Sequence, residues 1–183
     1  MAEVHDLPGD AVGVEIALEE VEVALLLSLA AQMAEFVAPR PLESEDPLAA
    51  LVGIDPSAQM SDDPALQRLL PDAYADDPDA SAQFRRFTER DLREAKVRNA
   101  LSVTEQLAGS PSSVVVTGDA IPPWLGFLND TRLTLGTRLE LSEDNHDELA
   151  DLPESDPRAG LFRVYDWLTF LQESIVQRLL PSA

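Results

Sequence analysis

Pro122-Pro123-Trp124-Leu125-Gly126-Phe127-Leu128-Asn129-Asp130-Thr131-Arg132-Leu133-Thr134-Leu135-Gly136-Thr137-Arg138-Leu139 carries the clearest pattern in the chain. Trp124, Leu128, Leu135 and Leu139 recur at steps of four and seven, which puts them on one side of an α-helix. Leu125 falls beside them, with Arg132 one heptad on and Gly136 a turn beyond. At roughly 100° per residue, Arg132 lands inside the apolar stripe. A guanidinium there has to be paired and hydrogen-bonded, because an isolated buried charge is very unfavourable. Asn129, Arg132 and Gly136 share a line up the helix, while Asp130 and Arg138 are expected on the outward side. Glycine costs a helix interior roughly 1 kcal/mol relative to alanine, so Gly136 is expected where another group comes close.

Composition sets the class. The 183 residues suffice for one domain with its own core, and 45% hydrophobic residues are too many for a disordered chain. The absence of cysteine excludes disulfides, thiol catalysis and thiolate metal sites within this sequence. The two histidines, His5 and His146, fall in a tail and a distant acidic loop, so no metal or cofactor is expected. The net charge is −21, and Lys96 is the single lysine among 13 basic residues. Such a surface repels phosphate backbones and anionic lipid, so nucleic-acid and membrane-surface binding are disfavoured. The most apolar segment, Val21 to Val37, contains Glu22, Ser28, Gln32 and Glu35. A membrane span needs about 20 predominantly apolar residues, and a signal peptide needs a cationic start. A cytoplasmic protein is the expectation.

In chain order, residues 1–11 read as a disordered tail. Val12 to Leu18 alternates with β-branched residues and predicts a short strand. A helix over 19–37 follows, its apolar face made by Leu25, Leu26, Leu29, Met33, Phe36 and Val37, and Pro39 and Pro41 end it. Residues 40–78 are proline-rich and predict short helices, with Asp46-Pro47 and Asp63-Pro64 as cap-then-proline starts. Leu48, Leu51, Val52 and Ile54, then Leu66, Leu69 and Leu70, are the edges expected to dock. A long helix spans 79–107, opened by Asp77-Pro78 or Asp79. Arg85, Arg86, Arg90, Arg93 and Lys96 cluster on one side of it around Glu89, with Phe84, Phe87, Leu92 and Ala95 opposite. That basic stripe reads either as a docking site for an acidic partner or as a solvated face.

Ser112 to Gly118 is a second β-rich run, expected to pair with 12–18 as a two-stranded ribbon, and Asp119 is expected to cap the helix over 122–139. Residues 142–157 form an acidic loop that lacks the glycine and ligand spacing of an EF-hand. The last helix, 158–180, buries Leu161, Val164, Leu168, Leu171, Ile175 and Leu179, flanked by Tyr165 and Trp167. Gln172 falls inside that face, where its amide oxygen suits Arg132. The fold class is therefore mainly α: a single-domain helical bundle of about four long helices with a small two-stranded β ribbon.

No glycine-rich phosphate loop, nucleophile elbow or Glu-x-x-His pair is present. The polar cluster of Trp124, Asn129, Asp130, Arg132, Arg138, Trp167 and Gln172 is what remains. Either Arg132 is neutralised at a helix crossing, or Arg132 and Asn129 hold a small anionic ligand or a partner's carboxylate.

Three blocks resemble a known family: Gln83-Phe84-Arg85-Arg86-Phe87-Thr88 with Asp91-Leu92-Arg93, the Trp124 to Leu139 stretch, and Tyr165-Asp166-Trp167-Leu168-Thr169-Phe170-Leu171-Gln172. Together they resemble an uncharacterised actinobacterial domain of unknown function, numbered two thousand and seventeen, over most of residues 12–180. The resemblance implies no assigned activity and no known catalytic residues. It also implies a link to Clp-dependent proteolysis, since the family is typically encoded beside the ClpS adaptor, and some members carry a transcriptional-regulator label. The expectation is a non-enzymatic interaction or regulatory protein whose partner is ClpS, the Clp machinery or itself. The alternatives are a transcriptional regulator and, third, a small-molecule enzyme built on Asn129, Asp130 and Arg132.

Overall fold

The computed structural model describes residues 2–9, 11–41, 54–55, 58–109 and 112–180. Strands β1 (Glu3–Asp6), β2 (Gly13–Ala17) and β3 (Ser113–Thr117) join helices α1 (Glu20–Phe36), α2 (Pro64–Leu69), α3 (Pro78–Gly109), α4 (Ile121–Arg138), α5 (His146–Ala150) and α6 (Pro157–Leu179). The mainly helical class holds, with two corrections. Among the described residues the short helix α2 lies where the proline-rich segment predicted short helices, but the short helix α5 lies in the segment expected as an acidic loop. The sheet has three antiparallel strands in the order β1-β2-β3, not two. Residues expected as a disordered tail supply β1, with Val4 opposite Ile16. The Glu22 carboxylate holds that strand by accepting from the Ala2 backbone N–H at 2.7 Å.

Helix starts follow local chemistry. Glu22 also accepts from the Glu19 N–H at 2.9 Å, completing a reciprocal cap on α1. Asp63 accepts from the Ala65 and Leu66 N–H groups at the start of α2, with Pro64 in its first turn. Asp77 accepts from Ala80 at the start of α3, and Asp156 caps α6 through Arg158 N–H. Asp119 does not cap α4: it lies in a 3-10 turn, Gly118–Ala120, that leads into the helix. The Asp46-Pro47 start and the Leu48, Leu51 and Val52 edge lie outside the described residues.

One core joins sheet and bundle. Val14, Ile16, Val114 and Val116 face inward from β2 and β3 and meet Leu26, Val103, Leu107, Trp124, Leu128, Leu168 and Ile175. A smaller cluster of Leu139, Leu149 and Phe162 seats α5. Helix α4 lies centrally, against α2, α3 and α6. Among the described residues, no helix is long and apolar enough to cross a membrane.

Candidate functional site

The buried face of α4 is rotated from its expected position. Trp124, Leu128, Leu135 and Leu139 are buried as one stripe, but Phe127, Asp130 and Thr131 are buried too, on the flank away from Arg132. Arg132 is therefore half-buried at the rim rather than inside the core. Asp130, expected outward, is the buried charged residue of α4. Its Oδ1 accepts from Lys96 Nζ of α3 at 2.7 Å, with 13% and 6% of the two side chains exposed. Burial pushes the Asp130 carboxyl above its ordinary value, against the opposing pull of Lys96.

Arg132 is held by neutral groups. Its Nε donates to Thr169 Oγ1 at 2.8 Å and its Nη1 to Gln172 Oε1 at 2.9 Å. The guanidinium carbon lies 5.5 Å from the centre of the Tyr165 ring. Thr169 donates its own hydroxyl proton to the Tyr165 carbonyl at 2.9 Å, leaving oxygen lone pairs toward Arg132. The guanidinium borders an open groove of about 590 Å³, lined also by Arg68, Asn129, Glu140, Leu141 and Tyr165. Asn129 is exposed there. A Cβ at Gly136 would meet Tyr165 Cε2 at an ordinary 3.5 Å, so close approach does not require that glycine. Gly126 is the constrained one, where a Cβ would lie 2.5 Å from Asn99 Nδ2.

The other predicted residues are dispersed. Arg138 donates to Asp63 Oδ2 at 2.6 Å and lies 5.6 Å from the centre of the Phe36 ring. Trp124 donates to Gln106 Oε1 at 3.1 Å. The Trp167 indole N–H is buried with no acceptor among the described residues.

The arginine stripe of α3 is turned inward. Arg85 and Arg93 are buried, whereas Phe84, Phe87 and Leu92 are exposed, the reverse of an amphipathic helix with its charges in water. Glu89 accepts from Arg85 Nη1 at 2.6 Å and from Arg93 Nε at 2.7 Å. Arg85 also reaches Asp72 at 2.9 Å and the Leu70 carbonyl at 3.1 Å. Arg93 donates to the Val37 carbonyl at 3.4 Å and Arg90 to that of Arg40 at 3.2 Å. Arg85 and Arg93 thus neutralise the C-terminal ends of α2 and α1, where a helix favours cations. Burial works against the Arg85 charge, but Glu89 and Asp72 outweigh it and hold that guanidinium above its ordinary value. Arg86 alone of the four is exposed.

Sequence reasoning missed Glu89 as a shared counterion, Lys96 as the partner of Asp130, and Arg68 and Tyr165 at the groove. The lone lysine was a usable signal, since a compact ammonium suits a single buried carboxylate where a planar fork does not. Among the described residues no group of three His, Asp or Glu side chains is placed to hold a metal ion.

Two curated relatives place the chain. It is 34% identical over 176 residues to the oxidative stress regulator AosR of Mycobacterium bovis, covering 88% of this chain and 79% of the relative. The same figures hold for the oxidative stress regulator AosR of Mycobacterium tuberculosis. No solved structure matches. The family model described as Domain of unknown function (DUF2017) matches residues 4–179, and the chain belongs to that family.

Proposed function

We propose that this protein is a non-enzymatic regulator that acts by binding another protein. The observation that carries this reading is its 34% identity, over 88% of the chain, to relatives named as oxidative stress regulators. The geometry supports a protein contact. Helix α3 exposes Phe84, Phe87 and Leu92, and Tyr74 packs edge-on against Phe84 at 6.0 Å between ring centres. Aromatic side chains offered to water are the usual anchors of a protein interface. With a chain charge of −21, the occupant is a partner with an apolar patch and a neutral or basic surround. The 183 residues contain no cysteine, so this chain offers no thiol as an oxidant sensor. The ClpS adaptor and the Clp subunits are the partners to test first, followed by a second copy of the chain.

The test is co-purification from the native organism, with and without peroxide, using wild type and a Phe84→Ser/Phe87→Ser double variant of matched melting temperature. Retention of ClpS, Clp subunits or a specific regulatory protein by wild type, lost in the double variant, supports the reading. Identical recoveries from both baits would sink it.

A further inference from the structure

Arg85, Arg90, Arg93, Arg138, Arg158 and Arg163 each have a carboxylate within 3.5 Å. Arg132 has none among the described residues, although it is half-buried in a chain with 34 acids. Its hydrogen bonds use two N–H groups, on the neutral oxygens of Thr169 and Gln172. A guanidinium carries five N–H donors, so three remain. Thr169, Gln172 and the Tyr165 ring fix its orientation without cancelling its charge. Arg68, exposed at the end of α2 and likewise without a carboxylate partner, borders the same groove.

We propose that this groove between α2, α4 and α6 binds a small organic monoanion, a carboxylate carried on an apolar body. Arg132 is the anchor that takes the carboxylate as a planar fork, and Arg68 is the second cation. Glu140 is the one acid among the described lining residues, so the local balance is two positive charges against one negative, which suits a single negative charge. Leu133, Leu141 and the Tyr165 ring receive the apolar body. A pocket that combines apolar walls with a few fixed polar groups is the ordinary form of a small-ligand site. Multiply charged ligands are excluded by the repulsion of the surrounding acidic surface. This site is separate from the exposed aromatic face of α3, so loss of either leaves the other in place.

The test is isothermal titration of the full chain at low ionic strength with sodium benzoate and, separately, with inorganic phosphate. Benzoate is expected to saturate one site. Arg132→Gln should weaken it by about tenfold or more, and Arg68→Gln by roughly threefold, since charge-assisted hydrogen bonds and screened charges contribute on those scales. Glu140→Gln should tighten it. Arg68 and Glu140 are both exposed, so these two variants read the site without threatening the fold. No saturable heat with benzoate overturns the proposal, as does binding unchanged in Arg68→Gln and Arg132→Gln. Phosphate bound as tightly as benzoate overturns the apolar-body assignment.

Discussion

Lys96 and Asp130, 34 residues apart, form a 2.7 Å ion pair that joins α3 to α4 inside the molecule. Both groups have given up most of their water, so the pair's net contribution is modest while the penalty for breaking it is large. Lys96→Met leaves a buried carboxylate with no counterion. It is expected to lower unfolding stability by roughly 3 kcal/mol. Lys96→Met/Asp130→Leu is expected to recover most of that loss. Urea unfolding of the two single variants and the double gives the cycle. A Lys96→Met curve overlying wild type would show that the pair is solvated.

The pH response has two parts of opposite sign. Burial holds Asp130 above the ordinary carboxylate value of 3.8, against Lys96. The folded state keeps this proton more tightly than the unfolded chain does. Between 3.8 and the raised value, the contribution of Asp130 to stability falls as pH rises. Asp63 behaves the other way. The hydrogen bond from Arg138, and next the backbone N–H groups of α2, hold it below 3.8. Its contribution is complete above 3.8 and is lost as pH falls through the lowered value. Carboxyl NMR titration is expected to place Asp130 above and Asp63 below the ordinary value, and Arg138→Gln to move Asp63 back up. Two superimposable titrations near 3.8 would refute both assignments.

Trp167 makes a simpler case. Its indole N–H is buried and has no acceptor among the described residues, so the folded state loses a hydrogen bond to water and gains none there. Trp167→Phe keeps an aromatic body and removes the orphan donor. Its melting temperature is expected to equal or exceed that of wild type. A clear fall would mean that the indole is satisfied in solution.

Much of this architecture was legible because apolar periodicity and caps are local. The four long helices and the proline-started caps at Asp63 and Asp77 needed no tertiary knowledge, whereas Asp156, which caps the last helix, was read as part of the acidic loop. The failures share one cause, in that a distant group decided the outcome. Glu3–Asp6 offers a single buried Val4 and no useful alternation, and β1 is held by its pairing with β2 and by the Glu22 carboxylate that accepts from Ala2. Arg85 and Arg93 face inward because Glu89 and two carbonyls at helix ends await them. Arg132 moved to the rim because Phe127, Asp130 and Thr131 bury the opposite flank of α4.

The two glycines of α4 separate propensity from packing. At either position alanine should gain roughly 1 kcal/mol of helix propensity. At Gly136 the new methyl meets Tyr165 and Leu141 at 3.5 Å and beyond, so that gain is expected to appear as a higher melting temperature. At Gly126 it meets Asn99 Nδ2 at 2.5 Å and Cγ at 3.4 Å, so Asn99 has to swing away from the α3–α4 contact. Gly126→Ala is therefore expected to melt below Gly136→Ala. Equal melting temperatures would mean that Asn99 yields freely.

Glu89 tests the inward stripe directly. It is the shared counterion of Arg85 and Arg93, whose side chains are 7% and 6% exposed. Glu89→Ala leaves two buried guanidinium groups to Asp72 and backbone carbonyls alone. The expected loss is roughly 3–5 kcal/mol, read from urea unfolding. Phe87→Ser on the exposed side of the same helix removes a ring that is 60% exposed, and is expected to change stability by less than about 0.5 kcal/mol. The contrast matters for any partner experiment. Replacing Arg85 and Arg93 would unfold this end of the molecule and imitate a lost contact, whereas replacing Phe84 and Phe87 alters only what the partner meets. If Glu89→Ala melted like wild type and Phe87→Ser did not, the helix would be rotated, and the basic stripe would again be the surface offered to a partner.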